Sequence, residues 1–198
     1  MKPIIENLSL KHLSIIDAFS CVENNDTLSQ YNSKTKKRII KHSREMEQFL
    51  KTEALEEQNK KLNTTHLLID SNKNKLIAFI SLCCDSLQLD FIERNYLEVS
   101  YQSIPAIKIA RLAVSNEYRN KGIGKLMIDY AAYMAKSINQ QCGVTFITLD
   151  CYQHRVSYYE KFGFKTNNIQ PIQLPYDSPI SMRISLNEYL ESLIDTNQ

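Results

Sequence analysis

The spacing of hydrophobic positions along this chain predicts both helices and strands. Apolar residues at helical spacing predict helices over about residues 17–62 and from Lys121 to about Ser137. Continuous apolar runs rich in β-branched residues predict strands, and these runs lie within 3–15 and at Thr65–Asp70, Lys75–Cys84, Ala106–Val114, Val144–Leu149 and Ile180–Leu186. Short helices are predicted over Val156–Phe162 and about 187–194.

The order of these elements predicts an α/β fold. A turn at 71–74 joins two predicted strands into a hairpin, and the second half of the chain alternates strand and helix. That alternation predicts a mixed sheet with helices packed on it. The stretch 85–105 is polar and irregular, and is predicted to be a loop. With 198 residues and no linker rich in Gly, Pro or Ser, the chain is predicted to be a single domain, 1–198.

Composition excludes several classes of protein and of site. No apolar run approaches the roughly 18 residues of a membrane span, and the N-terminus is not that of a signal peptide, so we expect a cytoplasmic protein with no membrane partner. A net charge of +2 indicates no nucleic-acid partner by itself. The five cysteines and four histidines lack metal-ligand spacing, so we expect reduced thiols and no bound metal.

Glycine is scarce in this chain and unevenly placed. All four glycines lie between positions 122 and 163, and two of them, Gly122 and Gly124, fall between a predicted strand and an amphipathic helix. Amide groups and the positive end of the dipole at a helix N-terminus attract anions, and glycine lets a phosphate approach the backbone closely. The basic segment 119–125, Arg-Asn-Lys-Gly-Ile-Gly-Lys, is therefore predicted to bind a pyrophosphate.

Two common phosphate-binding motifs do not fit this segment. A P-loop requires G-x-x-x-x-G-K-[ST], but Arg119 occupies the first glycine position and Leu126 the Ser/Thr position. A dinucleotide-binding turn requires G-x-G-x-x-G, but Met127 occupies the third glycine position. A third pattern, [Arg/Gln]-x-x-Gly-x-[Gly/Ala], fits Arg119, Gly122 and Gly124.

This third pattern and its surroundings resemble the GNAT (Gcn5-related N-acetyltransferase) superfamily. The strand end Arg-Leu-Ala-Val at 111–114 and the aromatic Tyr118 precede the pattern. The run 158–164, Tyr-Tyr-Glu-Lys-Phe-Gly-Phe, is similar to the signature that follows later in the family, so the resemblance covers about 106–166. It implies a GNAT-like fold, in which helices flank a central twisted, mostly antiparallel sheet with splayed parallel strands at the CoA site.

The resemblance also implies roles for individual residues. Acetyl-CoA would be the cosubstrate, with its diphosphate on the turn at 119–125 and its pantetheine arm along the preceding strand. An amide near Leu112 would stabilise the developing oxyanion, and Tyr159 would be the catalytic general acid that protonates the leaving thiolate. The residues assigned to cosubstrate binding are Leu112, Ala113, Val114, Arg119, Asn120, Lys121, Gly122, Ile123, Gly124 and Lys125.

The sequence departs from the family pattern at two places. Tyr152 stands seven residues before Tyr159, where many members have Asn, and the strand 106–114 lacks the carboxylate that serves some members as general base. Other side chains that would serve, directly or through water, are Asp85, Glu93, Glu98, Asp150 and His154. Because the site has no evident strong base, the acceptor amine must lose its proton easily. An α-amino group, with a pKa of about 7.7–8.0, is deprotonated at lower cost near pH 7 than a lysine amine, with a pKa of about 10.4.

The functional hypothesis is an acetyl-CoA-dependent N-acetyltransferase in which a primary amine attacks directly. A small-molecule or peptide amine is the favoured acceptor. The regions of about 17–62 and 85–105 would form the walls of the acceptor site, because these parts vary with substrate in the superfamily. One alternative is a GNAT-type toxin that acetylates aminoacyl-tRNA, which the basic run 34–41 supports. A second is a non-catalytic CoA-binding regulatory module, which Tyr159 disfavours. The resemblance also allows a homodimer.

Overall fold

The computed structural model describes residues 2–23, 28–170 and 178–195. The helices are α1 (Leu13–Asp17), α2 (Ser33–Gln48), α3 (Ala54–Asn59), α4 (Phe91–Tyr96), α5 (Ile123–Asn139), α6 (Val156–Glu160) and α7 (Leu186–Asp195). The strands are β1 (Pro3–Asn7), β2 (Thr64–Asp70), β3 (Lys75–Gln88), β4 (Ser103–Val114), β5 (Phe146–Cys151), β6 (Lys165–Thr166) and β7 (Ile180–Ser185). No helix among the described residues is long and apolar enough to cross a membrane.

The seven strands form a sheet in the order β1-β2-β3-β4-β5-β7-β6. The β1–β2, β2–β3, β5–β7 and β6–β7 pairs are antiparallel. Strands β4 and β5 pair in parallel, with Ala106–Ile109 opposite Phe146–Leu149. The prediction of an α/β fold with a mostly antiparallel sheet, a parallel pair and flanking helices is therefore confirmed.

The chain divides into two compact units, whereas the single-domain organisation stays a prediction. The first unit consists of Met1–Leu82 and Arg111–Met127. Its core holds an aromatic cluster in which the Phe79 ring lies 5.7 Å from that of Phe19 and 6.2 Å from that of Phe49. The runs Leu67–Ile69 in β2 and Leu76–Ile80 in β3 are buried at every position, so they are apolar on both faces of the sheet.

The second unit consists of Cys83–Ala110 and Ile128–Gln198. Buried side chains from β5, β7 and α5, among them Ile147, Leu149, Met182 and Ala131, form its core. Buried Tyr189 of α7 packs 6.5 Å from Phe164 between ring centroids, and its hydroxyl donates to the Asp129 carboxylate at 2.7 Å. The unit therefore tolerates a buried phenol because the hydroxyl has an acceptor.

Three boundaries differ from the predicted ones. The strand predicted within 3–15 ends at Asn7, because Ser9 begins a 3-10 turn and its amide donates to His12 Nδ1 at 3.1 Å. In the helical region predicted over 17–62, Asp17 is the last residue of α1, and a long helical stretch runs only over 33–59, in α2, a π-helical segment and α3. Residues 24–27 lie outside the described residues. The loop predicted over 85–105 contains the end of β3 and helix α4.

Candidate active site

In the first unit, the ten residues assigned to acetyl-CoA run from the end of β4 to the first turn of α5. Asn120 and Gly122 have positive φ angles of 57° and 75°, and these two left-handed residues turn the chain into the helix. A Cβ atom on Gly122 would meet no atom within 4 Å, so the space over this backbone is open. The Leu126 amide donates to the Gly122 carbonyl at 3.0 Å, and the amides before it point beyond the helix N-terminus. This geometry suits a phosphate.

Arg119, which the sequence assigned to the diphosphate, contacts the protein itself. Its guanidinium donates to the Cys21 carbonyl and lies 3.6 Å from the Glu23 carboxylate. Asn116 strengthens the same connection, because its side-chain amide donates to the Val22 carbonyl at 2.7 Å. Arg119 therefore fastens the turn to the segment 20–23, and any contact with the diphosphate stays a prediction.

In the second unit, Tyr159 lies on α6 among aromatic rings. Its ring packs edge-on against Tyr158 at 5.2 Å and against Phe164 at 5.8 Å between centroids. Burial is the main cause that raises the pKa of Tyr159, and the nearby Cys151 thiol adds to it. Burial likewise raises the pKa of Cys151 to about 12. Tyr159 is therefore protonated at neutral pH, as a general acid must be.

Gly163 sets the end of the helix that carries Tyr159. Its φ is +86°, and its amide donates to the Glu160 carbonyl at 3.0 Å, as expected for a residue just beyond a helix C-terminus. A Cβ atom here would lie 2.9 Å from Ile184 Cδ1. Glycine is therefore needed for conformation and for space, and it allows Phe164 to reach the Tyr159 ring.

Comparison with known proteins identifies the family. A family model described as an acetyltransferase (GNAT) domain matches residues 63–166, just over half of the chain. The chain belongs to the GNAT acetyltransferases. It is 33% identical over 133 residues to glucosamine 6-phosphate N-acetyltransferase 1 of Dictyostelium discoideum. The matched region covers 64% of this chain and 75% of that protein.

Solved structures show the same fold. The chain is similar to AtaT complexed with acetyl-methionyl-tRNAfMet, with a TM-score of 0.71, 14% identity, and coverage of 98% of this chain and 99% of that one. It is also similar to a tyrosine-to-phenylalanine mutant of KacT, with a TM-score of 0.71, 12% identity, and coverage of 96% and 99%. As a GNAT protein, the chain is an N-acetyltransferase that uses acetyl-CoA. No cluster of His, Cys, Asp or Glu within the described ranges could hold a metal ion.

A GNAT enzyme must also accept a proton from its amine, and two of the five candidate bases share one cluster in the second unit. The Lys108 ammonium lies 2.6 Å from Asp150 Oδ2, and the Thr148 hydroxyl donates to Asp85 Oδ2 at 2.6 Å. Although burial opposes it, the hydrogen bond and charge of Asp150, with the charge of Asp85, raise the pKa of Lys108. Asp150 Oδ1 is buried and has no hydrogen-bond partner in the described part of the chain.

The other three candidates are engaged elsewhere or exposed. Glu93 is buried in an ion pair with Arg183, Glu98 is exposed with a left-handed φ of 54°, and the His154 ring stacks on Tyr152 at 6.0 Å between centroids. Tyr152 thus stacks on an imidazole at the position where many GNAT members have Asn.

Sequence reasoning missed Lys108 and Thr148. A signal was present, since Lys108 interrupts the apolar strand Ala106–Val114 and faces Thr148 in the parallel register.

Proposed function

We propose that this GNAT enzyme catalyses direct attack of a primary amine on acetyl-CoA, with Tyr159 as general acid. Acetyl-CoA supplies the activated acetyl thioester, its diphosphate lies on the turn at 119–125, and its arm lies along the end of β4. The observation that carries the proposal is the protonated, half-buried Tyr159 phenol beside a second buried acid, the Cys151 thiol.

A phenol can protonate a leaving thiolate because the difference in acidity between the two groups is small. In water, a phenol with a pKa of about 10 is a weaker acid than a thiol at about 8.5, and the transfer costs roughly 2 kcal/mol. Burial raises the pKa of the Tyr159 phenol and that of the Cys151 thiol alike, so in these surroundings a leaving thiolate becomes a stronger proton acceptor while the phenol becomes a weaker donor. The difference of roughly 2 kcal/mol therefore remains, and it is small enough for a positioned acid to overcome.

For the opposite proton transfer we propose Asp150. Its Oδ2 is held by Lys108, whereas its buried Oδ1 has no partner within the described residues and lacks a donor that the amine, or a water that relays its proton, would supply. An α-amino group needs no strong base, because near pH 7.5 its deprotonation costs less than about 1 kcal/mol.

For the acceptor we propose the α-amino group of an aminoacyl-tRNA. Helix α2 carries six Lys or Arg residues against two Glu. The exposed cations follow at helical spacing along one face, and we call them the α2 stripe: Lys34, Lys37, Lys41 and Arg44. Such a stripe suits a phosphate backbone. The likeness to AtaT, whose structure holds acetyl-methionyl-tRNAfMet, extends over 98% of the chain and so includes α2, which lies outside the matched GNAT domain.

A small amino sugar phosphate is the second candidate acceptor. The identity to glucosamine 6-phosphate N-acetyltransferase 1 favours it. This candidate preserves the small-molecule acceptor that the sequence favoured, and it leaves the α2 stripe without a part in the reaction.

The test is transfer of radiolabelled acetyl from acetyl-CoA to aminoacyl-tRNA, deacylated tRNA or glucosamine 6-phosphate. We expect label on aminoacyl-tRNA only, released with the amino acid by mild alkaline hydrolysis. Lys37→Glu with Lys41→Glu should raise KM for aminoacyl-tRNA about tenfold or more and leave KM for acetyl-CoA unchanged. Lys136→Glu on α5 makes a charge reversal at another exposed lysine and should change neither. Label on the sugar and none on tRNA would establish the second candidate.

A further inference from the structure

A short segment after α1 is held in place although it forms neither helix nor strand. We call residues 20–23, Ser-Cys-Val-Glu, the strap. The Ser20, Cys21 and Val22 carbonyls all accept hydrogen bonds, and the Cys21 and Val22 amides both donate. A loop at the surface commonly leaves such groups to water. The strap is instead bound by protein groups of the first unit on two sides.

Glu47 holds the strap from the side of helix α2. Its Oε1 accepts from the Cys21 amide at 2.6 Å, from the Ser20 hydroxyl at 2.8 Å and from the Val22 amide at 3.1 Å. Hydrogen bonds to a carboxylate are roughly twice as strong as neutral ones. Glu47 Oε2 lies 4.0 Å from the Lys51 ammonium, and the Glu47 side chain is only 17% exposed. One carboxylate oxygen therefore holds three donors of the strap.

The chain that follows β4 holds the strap from the other side. The Asn116 backbone amide donates to the Ser20 carbonyl at 3.0 Å, and the Asn116 side-chain amide donates to the Val22 carbonyl at 2.7 Å. Asn116 begins the 3-10 turn that leads to Arg119, and Arg119 donates to the Cys21 carbonyl. The strap thus turns its amides to Glu47 and its carbonyls to the residues that lead into the turn at 119–125.

The turn at 119–125 needs such support, because part of its backbone is left-handed. Asn120, next to Arg119, has a φ of 57°, and Gly122 has a φ of 75°. A left-handed residue other than glycine costs free energy, although less for Asn than for most side chains, and it persists where neighbouring contacts fix the chain. The contacts of Asn116 and Arg119 with the strap lie immediately before Asn120. The position of the strap therefore helps to set the conformation of the turn.

We propose that Glu47 is a positioning residue for acetyl-CoA. Through the strap it holds Asn116 and Arg119, and with them the turn at 119–125, in the conformation that receives the diphosphate. This role rests on the place of the diphosphate given under the proposed function. Such preorganisation raises affinity, because the site does not have to become ordered when the ligand binds.

The test is the Kd of acetyl-CoA, measured with the full chain by isothermal titration calorimetry. Glu47→Ala should raise Kd about tenfold, because the turn is then less well ordered before binding. Glu47→Gln should restore most of the affinity, because its amide oxygen can still accept from the three donors. Glu56→Ala on α3 is the matched control and should leave Kd unchanged. Like Glu47, Glu56 forms an ion pair with a lysine four residues later.

Hydrogen–deuterium exchange separates a positioning role from a local structural one. In Glu47→Ala, the amides of the strap and those of the turn at 119–125 should both exchange faster than in the wild type. Asn116→Ala cuts the same connection from the side of the turn, and it is the second variant if circular dichroism shows that Glu47→Ala folds poorly. It should also raise Kd. The double variant should bind about as weakly as the weaker single variant, because both changes remove one connection.

Three results would overturn the positioning role. They are an unchanged Kd in Glu47→Ala, an equal rise in Kd in Glu47→Ala and Glu47→Gln, and faster exchange in the strap alone. If Gly122→Asn raises Kd while Glu47→Ala does not, the positioning role fails and the place of the diphosphate stands. If Gly122→Asn leaves Kd unchanged, the diphosphate lies elsewhere, and the positioning role fails together with that part of the proposed function.

Discussion

The turn at 119–125 and the surroundings of Tyr159 solve two different chemical problems. The turn offers backbone: two left-handed residues, open space over Gly122 and the amides at the start of α5. Arg119, the first residue of the turn, donates to the Cys21 carbonyl. Tyr159 offers a side chain whose pKa is set by burial among aromatic rings and a thiol. Binding should therefore depend on backbone conformation in the first unit, and the chemical step on burial in the second.

Tyr159→Phe is the change with the largest expected effect. It removes the proposed acid and leaves the ring contacts, so kcat should fall about 100-fold or more while KM for acetyl-CoA stays nearly constant. Tyr158→Phe is the matched control, because burial also raises the pKa of Tyr158 and its ring touches that of Tyr159. Steady-state kinetics with the acceptor that the radiolabel assay identifies would decide between these roles. An equal loss in both variants would mean that the hydroxyl of Tyr159 has only a packing role.

Substitutions at Gly122 test the turn. Gly122→Ala places a side chain on a residue with φ of 75°, which should destabilise the protein by about 1–2 kcal/mol and lower Tm by a few degrees. Gly122→Asn should restore most of that stability, because Asn tolerates left-handed backbone. If the open space over Gly122 receives the diphosphate, both variants should weaken acetyl-CoA binding about tenfold or more.

Thermal unfolding with and without acetyl-CoA separates these two effects. Saturation to about 100 times Kd adds roughly 2.7 kcal/mol to a binding-competent protein. Gly143→Ala is the control, because a Cβ there would come no closer than 4.0 Å to Pro105. If acetyl-CoA raised the Tm of both Gly122 variants as much as it raises that of the wild type, acetyl-CoA would not approach this backbone.

The same contrast explains which features the sequence could reveal. The turn is local, and a short glycine pattern predicts both its left-handed residue and its place before a helix. The contact of Arg119 with Cys21 joins residues 98 positions apart, and no periodicity predicts it. Helix α4 was missed for another reason. Hydrophobic periodicity assumes that apolar residues point inward, and α4 does the opposite because Glu93 is held by Arg183.

The smallest expected effect is the pH dependence of stability that one buried thiol in each unit contributes. Burial is the main cause that raises the pKa of both Cys21 and Cys151 from 9.0 to about 12. A group whose pKa is higher in the folded state contributes stability below its unfolded pKa, and that stability is lost as pH rises toward the folded value. The free energy of unfolding should therefore fall between about pH 9 and pH 12, by about 1.4 kcal/mol per thiol one pH unit above the unfolded pKa.

Urea unfolding from about pH 8 to about pH 10.5 measures this loss. Cys21→Ala and Cys151→Ala should each flatten the pH dependence, whereas Cys142→Ala, at an exposed thiol, should leave it unchanged. If Cys21→Ala flattens the pH dependence of the free energy of unfolding and Cys151→Ala does not, the Cys151 thiol is hydrated in the folded protein. The dry surroundings inferred for Tyr159, which lies near Cys151, would then be absent.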